Sequence, residues 1–326
     1  MLNPLAGGAD KISEIGEKIC LFIKTCEWVS SVSAIGFGAE YVKTDTIVKP
    51  EGSTYLEKLI SAITLVSDFH PDVYLLAGGD GFAAYAADCL LKMGIEEPKL
   101  LGVAMGTANI GPIIAFSADD LMDLPPDNLL FSDCGAIEAF DGLNTLRKED
   151  SIAFGFNDIV IGNTLLGTID NKTRLLSARA MAKDGSKIPI KPMANIGENL
   201  CIEKNGLRKI VSLPKTAQII VSALEREHLI GRAVSGLLCF HSDIRARAAL
   251  ICCSRTLVTN VFDSAGFPDL VDFSQLVFGE DDIVSIDGLK EEALLIADGN
   301  PYEINRNVVT LKYRPDVVKI AQSCTK

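Results

Sequence analysis

The sequence predicts two regions of different fold class: an α/β region built on a parallel sheet, followed by a β-rich region built on an antiparallel one. Three observations carry this. Over residues 1–132, apolar strand-like runs alternate with amphipathic helical segments. Two of those runs, 73–77 and 100–104, end in glycine-containing turns, which is how buried parallel strands deliver the chain to a ligand-binding corner. Beyond residue 132 the helical stripes thin out, and short β-like runs are punctuated by Asp-Gly and Asn-Gly pairs.

Each element follows in order. Residues 10–26 predict a helix, with Ile12, Ile15, Ile19 and Phe22 on one face. Residues 44–48 predict a short strand. Residues 53–67 predict an amphipathic helix capped by Gly52 or Ser53, with Leu56, Leu59, Ile60, Ile63 and Val66 as its apolar stripe, ended by His70-Pro71. The strand 73–77, a helix over 83–93 and the strand 100–104 come next, and Pro125-Pro126 breaks the following helical stretch. The second region predicts strands at 136–140, 152–156, 159–161, 208–213, 218–222, 250–253 and 283–286, with turns at Asp141-Gly142, Asn205-Gly206, Asp287-Gly288 and Asp298-Gly299. A sheet of the first kind normally opens on a buried strand, and Met1-Leu2 leave almost none of it, so the first strand is expected to be truncated.

A hydrophobic content of 48% with 23% charged residues provides a large core and excludes a disordered chain. The net charge of −12 argues against nonspecific binding to nucleic acid or anionic membranes, though not against a nucleotide pocket. No apolar run approaches the ~18 residues of a membrane span, and the start lacks the basic-then-apolar pattern of a signal peptide. A cytoplasmic protein is expected. The nine cysteines form no Cys-x-x-Cys pair and only three histidines are present, so no zinc site is expected. Cys252 and Cys253 are adjacent, which in a strand points them to opposite faces.

The chemistry concentrates at Gly78-Gly79-Asp80-Gly81, where a strand ends and a helix begins. Glycine lets backbone approach a ligand, and the helix start attracts anions. A carboxylate there repels phosphate unless it holds a metal or takes a proton from an attacking hydroxyl, which points to phosphoryl transfer. Taken alone, the segment also reads as a plain turn with Asp80 capping the helix. No Gly-x-x-x-x-Gly-Lys-Ser/Thr sequence occurs, so this is not a P-loop protein.

Three segments in this order, Asn3-Pro4-Leu5-Ala6-Gly7-Gly8, Gly78-Gly79-Asp80-Gly81 and Gly106-Thr107-Ala108-Asn109, resemble the superfamily of NAD kinases, diacylglycerol kinases and sphingosine kinases. Phe156-Asn157-Asp158 with the run behind it is similar to the Asn-acidic motif and strand of NAD kinases. Asp298-Gly299, residues 308–311 and Pro315 are similar to the last turn and strand of the superfamily. Within it, the chain looks most like the ATP-NAD kinase-like branch that includes the acetoin-catabolism protein X group. The resemblance implies a Rossmann-like nucleotide-binding domain at 1–132, a β-sandwich substrate domain at 133–300, and a tail at 301–326 that returns to the first domain.

The resemblance also implies site residues. Asp80 is the general base. Gly7, Gly8, Gly78, Gly79 and Gly81 offer backbone N–H groups to phosphates, joined by Thr107 and Asn109. Asn157 and Asp158 bind the acceptor, and Asn3 contacts nucleotide or fixes its own turn. The donor is ATP or polyphosphate with Mg²⁺, with no protein metal ligand assigned. The acceptor is the ribose 2′-hydroxyl of NAD or of a related small molecule. The alternatives are a lipid or sphingoid-base kinase, or an accessory protein that binds nucleotide without catalysis. Superfamily members are commonly homo-oligomers.

Three departures bear on these alternatives. Phe82 stands where the superfamily usually has Thr, removing a hydroxyl beside the phosphates and adding an apolar wall. Ile110 stands where lipid kinases have Asp. The Thr-Pro-Thr-Gly-Ser-Thr-Ala-Tyr segment that closes over the dinucleotide in NAD kinases is missing. Arg232, Arg245, Arg247 and Arg255 read either as a phosphate clamp or as partners for the many carboxylates.

Overall fold

The computed structural model describes residues 1–3, 11–27, 29–35, 44–105, 111–124, 129–169, 172–213, 215–224, 246–257 and 271–323. Among these the elements run α1 (Ile12–Thr25), β1 (Ser33–Ile35), β2 (Thr46–Val48), α2 (Tyr55–Ser67), β3 (Tyr74–Gly78), α3 (Asp80–Lys92), β4 (Lys99–Ala104), β5 (Ile114–Phe116), α4 (Ala118–Asp123) and β6 (Leu129–Asp141). There follow β7 (Ser151–Gly155), β8 (Asp158–Gly162), β9 (Thr164–Ile169), β10 (Lys172–Ser177), α5 (Ala178–Asp184), β11 (Gly197–Lys204), β12 (Leu207–Ile210), β13 (Gln218–Ala223) and β14 (Ala248–Cys253). The last are β15 (Phe273–Phe278), β16 (Val284–Leu289), β17 (Leu294–Ala297), β18 (Asn300–Tyr302) and β19 (Val308–Ser323). The chain forms two compact units, Met1–Cys134 with Asp316–Lys326, and Gly135–Pro315.

In the first unit, β3, β4 and β5 are parallel, with Tyr74 opposite Leu100 and Gly102 opposite Ile114. The end of β19 joins β4 in parallel through Lys319 and Ile320. Beside β3, Leu2 makes a parallel bridge to Ala77, flanked by hydrogen bonds from Ala77 N–H to the Met1 carbonyl and from Asn3 N–H to the Ala77 carbonyl, both 2.8 Å. Leu76, Ala77, Leu100 and Val103 are fully buried, as expected of strands covered on both faces. Helix α1 buries the predicted stripe, Ile12, Ile15, Ile19 and Phe22, against Met105, Phe116 and Leu121. Helix α3 is Ala-rich and buried along most of its length, and its buried Asp88 is paired with Lys92 at 2.8 Å.

Helix α2 differs from the expectation in two ways. Its N-cap is Thr54 rather than Gly52 or Ser53, because only Thr54 stands three residues before an acid. Thr54 Oγ1 accepts the Glu57 N–H, and Glu57 Oε2 accepts the N–H groups of Ser53 and Thr54. Its buried face is Leu59, Ala62 and Ile63, whereas Leu56 and Ile60 are exposed; the small Ala62 takes the contact that a wider apolar stripe had suggested.

The second unit contains two main sheets of antiparallel pairs. One orders its strands β15-β14-β13-β8-β17-β18; the other places β16 between β11 and the first half of β19, with β12 outside β11. Their inner faces share one core. Ile159, Ile161, Ile219, Val221 and Leu250 meet Ile137, Val284, Ile286, Val309 and Leu311, with Phe278 and Tyr313 also fully buried in it. Cys252 lies in this core, while Cys253 faces a second cluster with Ile220 and Ile251, as strand alternation requires. Burial pushes these thiols up to about 12 and about 11, so neither is a nucleophile at neutral pH.

Asn205-Gly206 and Asp298-Gly299 are the two-residue loops of hairpins β11–β12 and β17–β18, with both residues at positive φ. Asp287-Gly288, in contrast, lies inside β16 rather than in a turn. Asp287 pairs with Cys201 and Val308, and Gly288, at φ 90°, falls where the β11–β16 register shifts. Strand β6 is 13 residues long where the sequence predicted only 136–140, because its first half is not fully buried and lacks a continuous apolar signature. Among the described residues no helix is long and apolar enough to cross a membrane.

Candidate functional site

The β3–α3 corner is built by strand burial and glycine. Gly78 ends β3, and its carbonyl accepts the N–H of Met105 at 2.8 Å, which ties the end of β4 to it. Gly79 is the N-cap, in extended conformation, and α3 begins at Asp80, three residues earlier than the sequence predicted. Asp80 is therefore a first-turn acid, where the helix dipole favours its ionised form.

Its carboxylate is fixed from outside the helix. The Gly111 N–H donates to Asp80 Oδ2 at 2.8 Å. A Cβ at position 111 would stand 3.0 Å from both Cγ and Oδ1 of Asp80, so a side chain there would press on the carboxylate and glycine leaves it room. Gly111 was not singled out from the sequence; its one signal there is its place two residues beyond Asn109. Phe82 is buried at 7% exposure, and its ring lies against Gly78, where an added Cβ would meet Cδ1 at 2.5 Å. The ring is thus a packing element of the β3–α3 junction. Asn3 is buried beside Ala77, next to the end of β3. The structure so brings Asn3, Gly78, Gly79, Asp80 and Gly81 together; Gly7, Gly8, Thr107 and Asn109 lie outside the described residues.

In the second unit, Asn157 lies in the turn between β7 and β8, and Asp158 opens β8. The turn is held from two sides. Ser222 Oγ donates to the Asn157 carbonyl at 3.0 Å. The Asp298 carboxylate accepts three consecutive backbone N–H groups, from Phe156 at 2.7 Å, Asn157 at 2.8 Å and Asp158 at 3.1 Å, while the Asp298 N–H donates to the Asp158 carbonyl at 3.0 Å. Burial, and then the nearby Asp158 charge, push the Asp298 carboxyl up to about 7 against the opposing pull of the three N–H groups. Among the described residues the Oδ1 of Asn157 is buried and takes no hydrogen bond. The sequence marked Asp298-Gly299 as a turn but could not show its reach to residue 158, which is set by the pairing of β8 with β17.

Of the basic residues, Arg247 pairs with Glu280 at 3.0 Å, and Arg255 is exposed. Arg232 and Arg245 lie outside the described residues. Among the described residues no group of three or more His, Cys, Asp or Glu is placed to hold a metal.

No family model matches the chain. An uncharacterised protein of Archaeoglobus fulgidus is 24% identical over 326 residues, covering 96% of this chain and 94% of its own. Yeast NADH kinase, solved in complex with NADH, superposes with a TM-score of 0.52 at 12% identity, covering 95% of this chain and 80% of that one. An NAD kinase of Archaeoglobus fulgidus, solved in complex with ATP, gives a TM-score of 0.48 at 10% identity over 99% of this chain and 92% of that one. The mixed sheet with its flanking helices is a fold shared with the yeast enzyme over nearly the whole chain.

Proposed function

We propose that this protein is a kinase of the NAD kinase superfamily that transfers a phosphoryl group from ATP or polyphosphate to a hydroxyl, the 2′-hydroxyl of NAD's adenosine ribose or of a related small molecule. The observation that carries the reading is Asp80, a carboxylate in the first turn of α3, fixed by the Gly111 N–H in a fold shared with an NADH kinase. The first unit is read as the nucleotide-binding domain and the second as the substrate domain, and the sequence resembles the acetoin-catabolism protein X branch. The setting is cytoplasmic.

In this reading Asp80 accepts the proton of the acceptor hydroxyl as its oxygen forms a bond to the terminal phosphorus. The bond from that phosphorus to the bridging oxygen breaks, and ADP leaves with the bridging electron pair. The backbone of Gly78, Gly79 and Gly81, with the positive end of the α3 dipole, favours the donor's phosphates; Gly7, Gly8, Thr107 and Asn109 complete that cradle, and Asn3 shapes its edge. Mg²⁺, when bound, would neutralise phosphate charge. Asn157 and Asp158 contact the acceptor. The buried, unpartnered Oδ1 of Asn157 supports this, since a buried polar atom without a partner is costly unless something occupies it.

The test is a transfer assay with Mg²⁺ and labelled ATP against NAD, NADH, a diacylglycerol and a sphingoid base. Label on NAD is the expected result. Label on a lipid would retain Asp80 and discard the dinucleotide acceptor. Bound ATP with no label on any acceptor would favour the non-catalytic reading.

A further inference from the structure

We propose that Asp298 is the positioning residue of the acceptor turn: by taking the backbone N–H groups of Phe156, Asn157 and Asp158 into one carboxylate, it fixes the angle at which Asn157 and Asp158 meet their ligand. This rests on the acceptor reading of Asn157 and Asp158. Three successive N–H groups converging on one point form an anion-binding concavity, and here the anion is supplied by the chain itself. The carboxylate can reach it because Asp298 occupies the positive-φ position of a two-residue hairpin loop, φ 48°, directly beyond the β8–β17 pairing. The Asp298 N–H on the Asp158 carbonyl, and the Ser222 hydroxyl on the Asn157 carbonyl, leave the turn little freedom while the carboxylate is ionised.

The arrangement is sensitive to protonation. Oδ1 takes the N–H groups of Asn157 and Asp158, and Oδ2 takes that of Phe156. A proton on either oxygen competes with those bonds. Burial and the Asp158 charge push the Asp298 carboxyl up to about 7, so protonation in the neutral range would weaken its hold on the turn. Acceptor affinity should therefore fall as pH drops below about 7, with the chemical step at Asp80 less affected.

The experiment measures KM and kcat for NAD with Mg²⁺ and ATP between about pH 6 and about pH 8, in the wild type and in Asp298→Asn. Calorimetric binding of NAD to the wild type, to Asn157→Ala and to Asp298→Asn is measured in parallel. Expected are a wild-type KM that rises about tenfold toward the acid end with little change in kcat, and a variant whose KM is raised by about that factor throughout, without the pH slope. A wild-type KM that is flat with pH overturns the proposal even if the variant does not fold, and so does a variant that matches the wild type. NAD binding that is absent, or untouched by Asn157→Ala, overturns the acceptor reading and the positioning role with it. NAD binding weakened by Asn157→Ala but not by Asp298→Asn overturns the positioning role alone.

Discussion

At Asp80 the side chain and a distant backbone group are matched to each other. The Gly111 N–H reaches Oδ2 at 2.8 Å, and the absence of a side chain at residue 111 leaves the carboxylate room. Gly111→Ala forces a Cβ to within 3.0 Å of the carboxyl carbon and one oxygen, so either the loop or the carboxylate moves. The expected outcome is a kcat lower by about tenfold to about a hundredfold, since small misplacements of a reacting group cost that much, with little change in melting temperature. Gly78 makes a second such match. Gly78→Ala drives a methyl into the Phe82 ring, and overpacking of this kind costs about 1–3 kcal/mol. Adding Phe82→Leu should recover part of the loss, a coupling that denaturant unfolding of the two single variants and the double variant measures. Strictly additive losses would show that the ring and the glycine do not share space.

Secondary structure elements were legible in proportion to how one-sided their burial is. Helix α1 carries Ile12, Ile15, Ile19 and Phe22 on one face and buries them, so spacing alone located it. Helix α2 was found, but its cap was misplaced by one or two residues, because Gly52, Ser53 and Thr54 are all acceptable caps and only the reciprocal bonds with Glu57 select among them. Thr54→Ala should cost about 1 kcal/mol by urea unfolding. The Ser53 hydroxyl and the Ser53 and Thr54 N–H groups hold Glu57 down to about 2. A depressed folded value means its stabilisation is present above the ordinary glutamate range and is lost as pH falls toward about 2. Glu57→Gln should therefore flatten the acid side of the stability profile, and an unchanged acid slope would contradict the box. Strands β9, β10 and β15, together with helix α5, went unread for the opposite reason: they have few continuously buried positions.

For the molecule as a whole, the succession from parallel to antiparallel sheet was legible because it is written in periodicity and turn chemistry. Gly78, Gly79, Asp80 and Gly81 in the first unit, and Asn157 and Asp158 in the second, were legible as motif residues. Gly111 was not, and Asp298 was legible only as part of a turn motif, because their contacts are made across 31 and 140–142 positions of sequence. No local pattern specifies such pairs; strand register and loop closure do. The departure at Phe82, which from sequence suggested an altered phosphate site, is accounted for by packing on Gly78. The most direct test of the central claim is single-turnover phosphoryl transfer by Asp80→Asn, with ATP binding measured by calorimetry on the same protein. The account predicts transfer reduced by about a hundredfold to about ten-thousandfold, the usual worth of a general base, with ATP affinity within a few-fold of the wild type. Transfer at the wild-type rate would contradict Asp80 as the base.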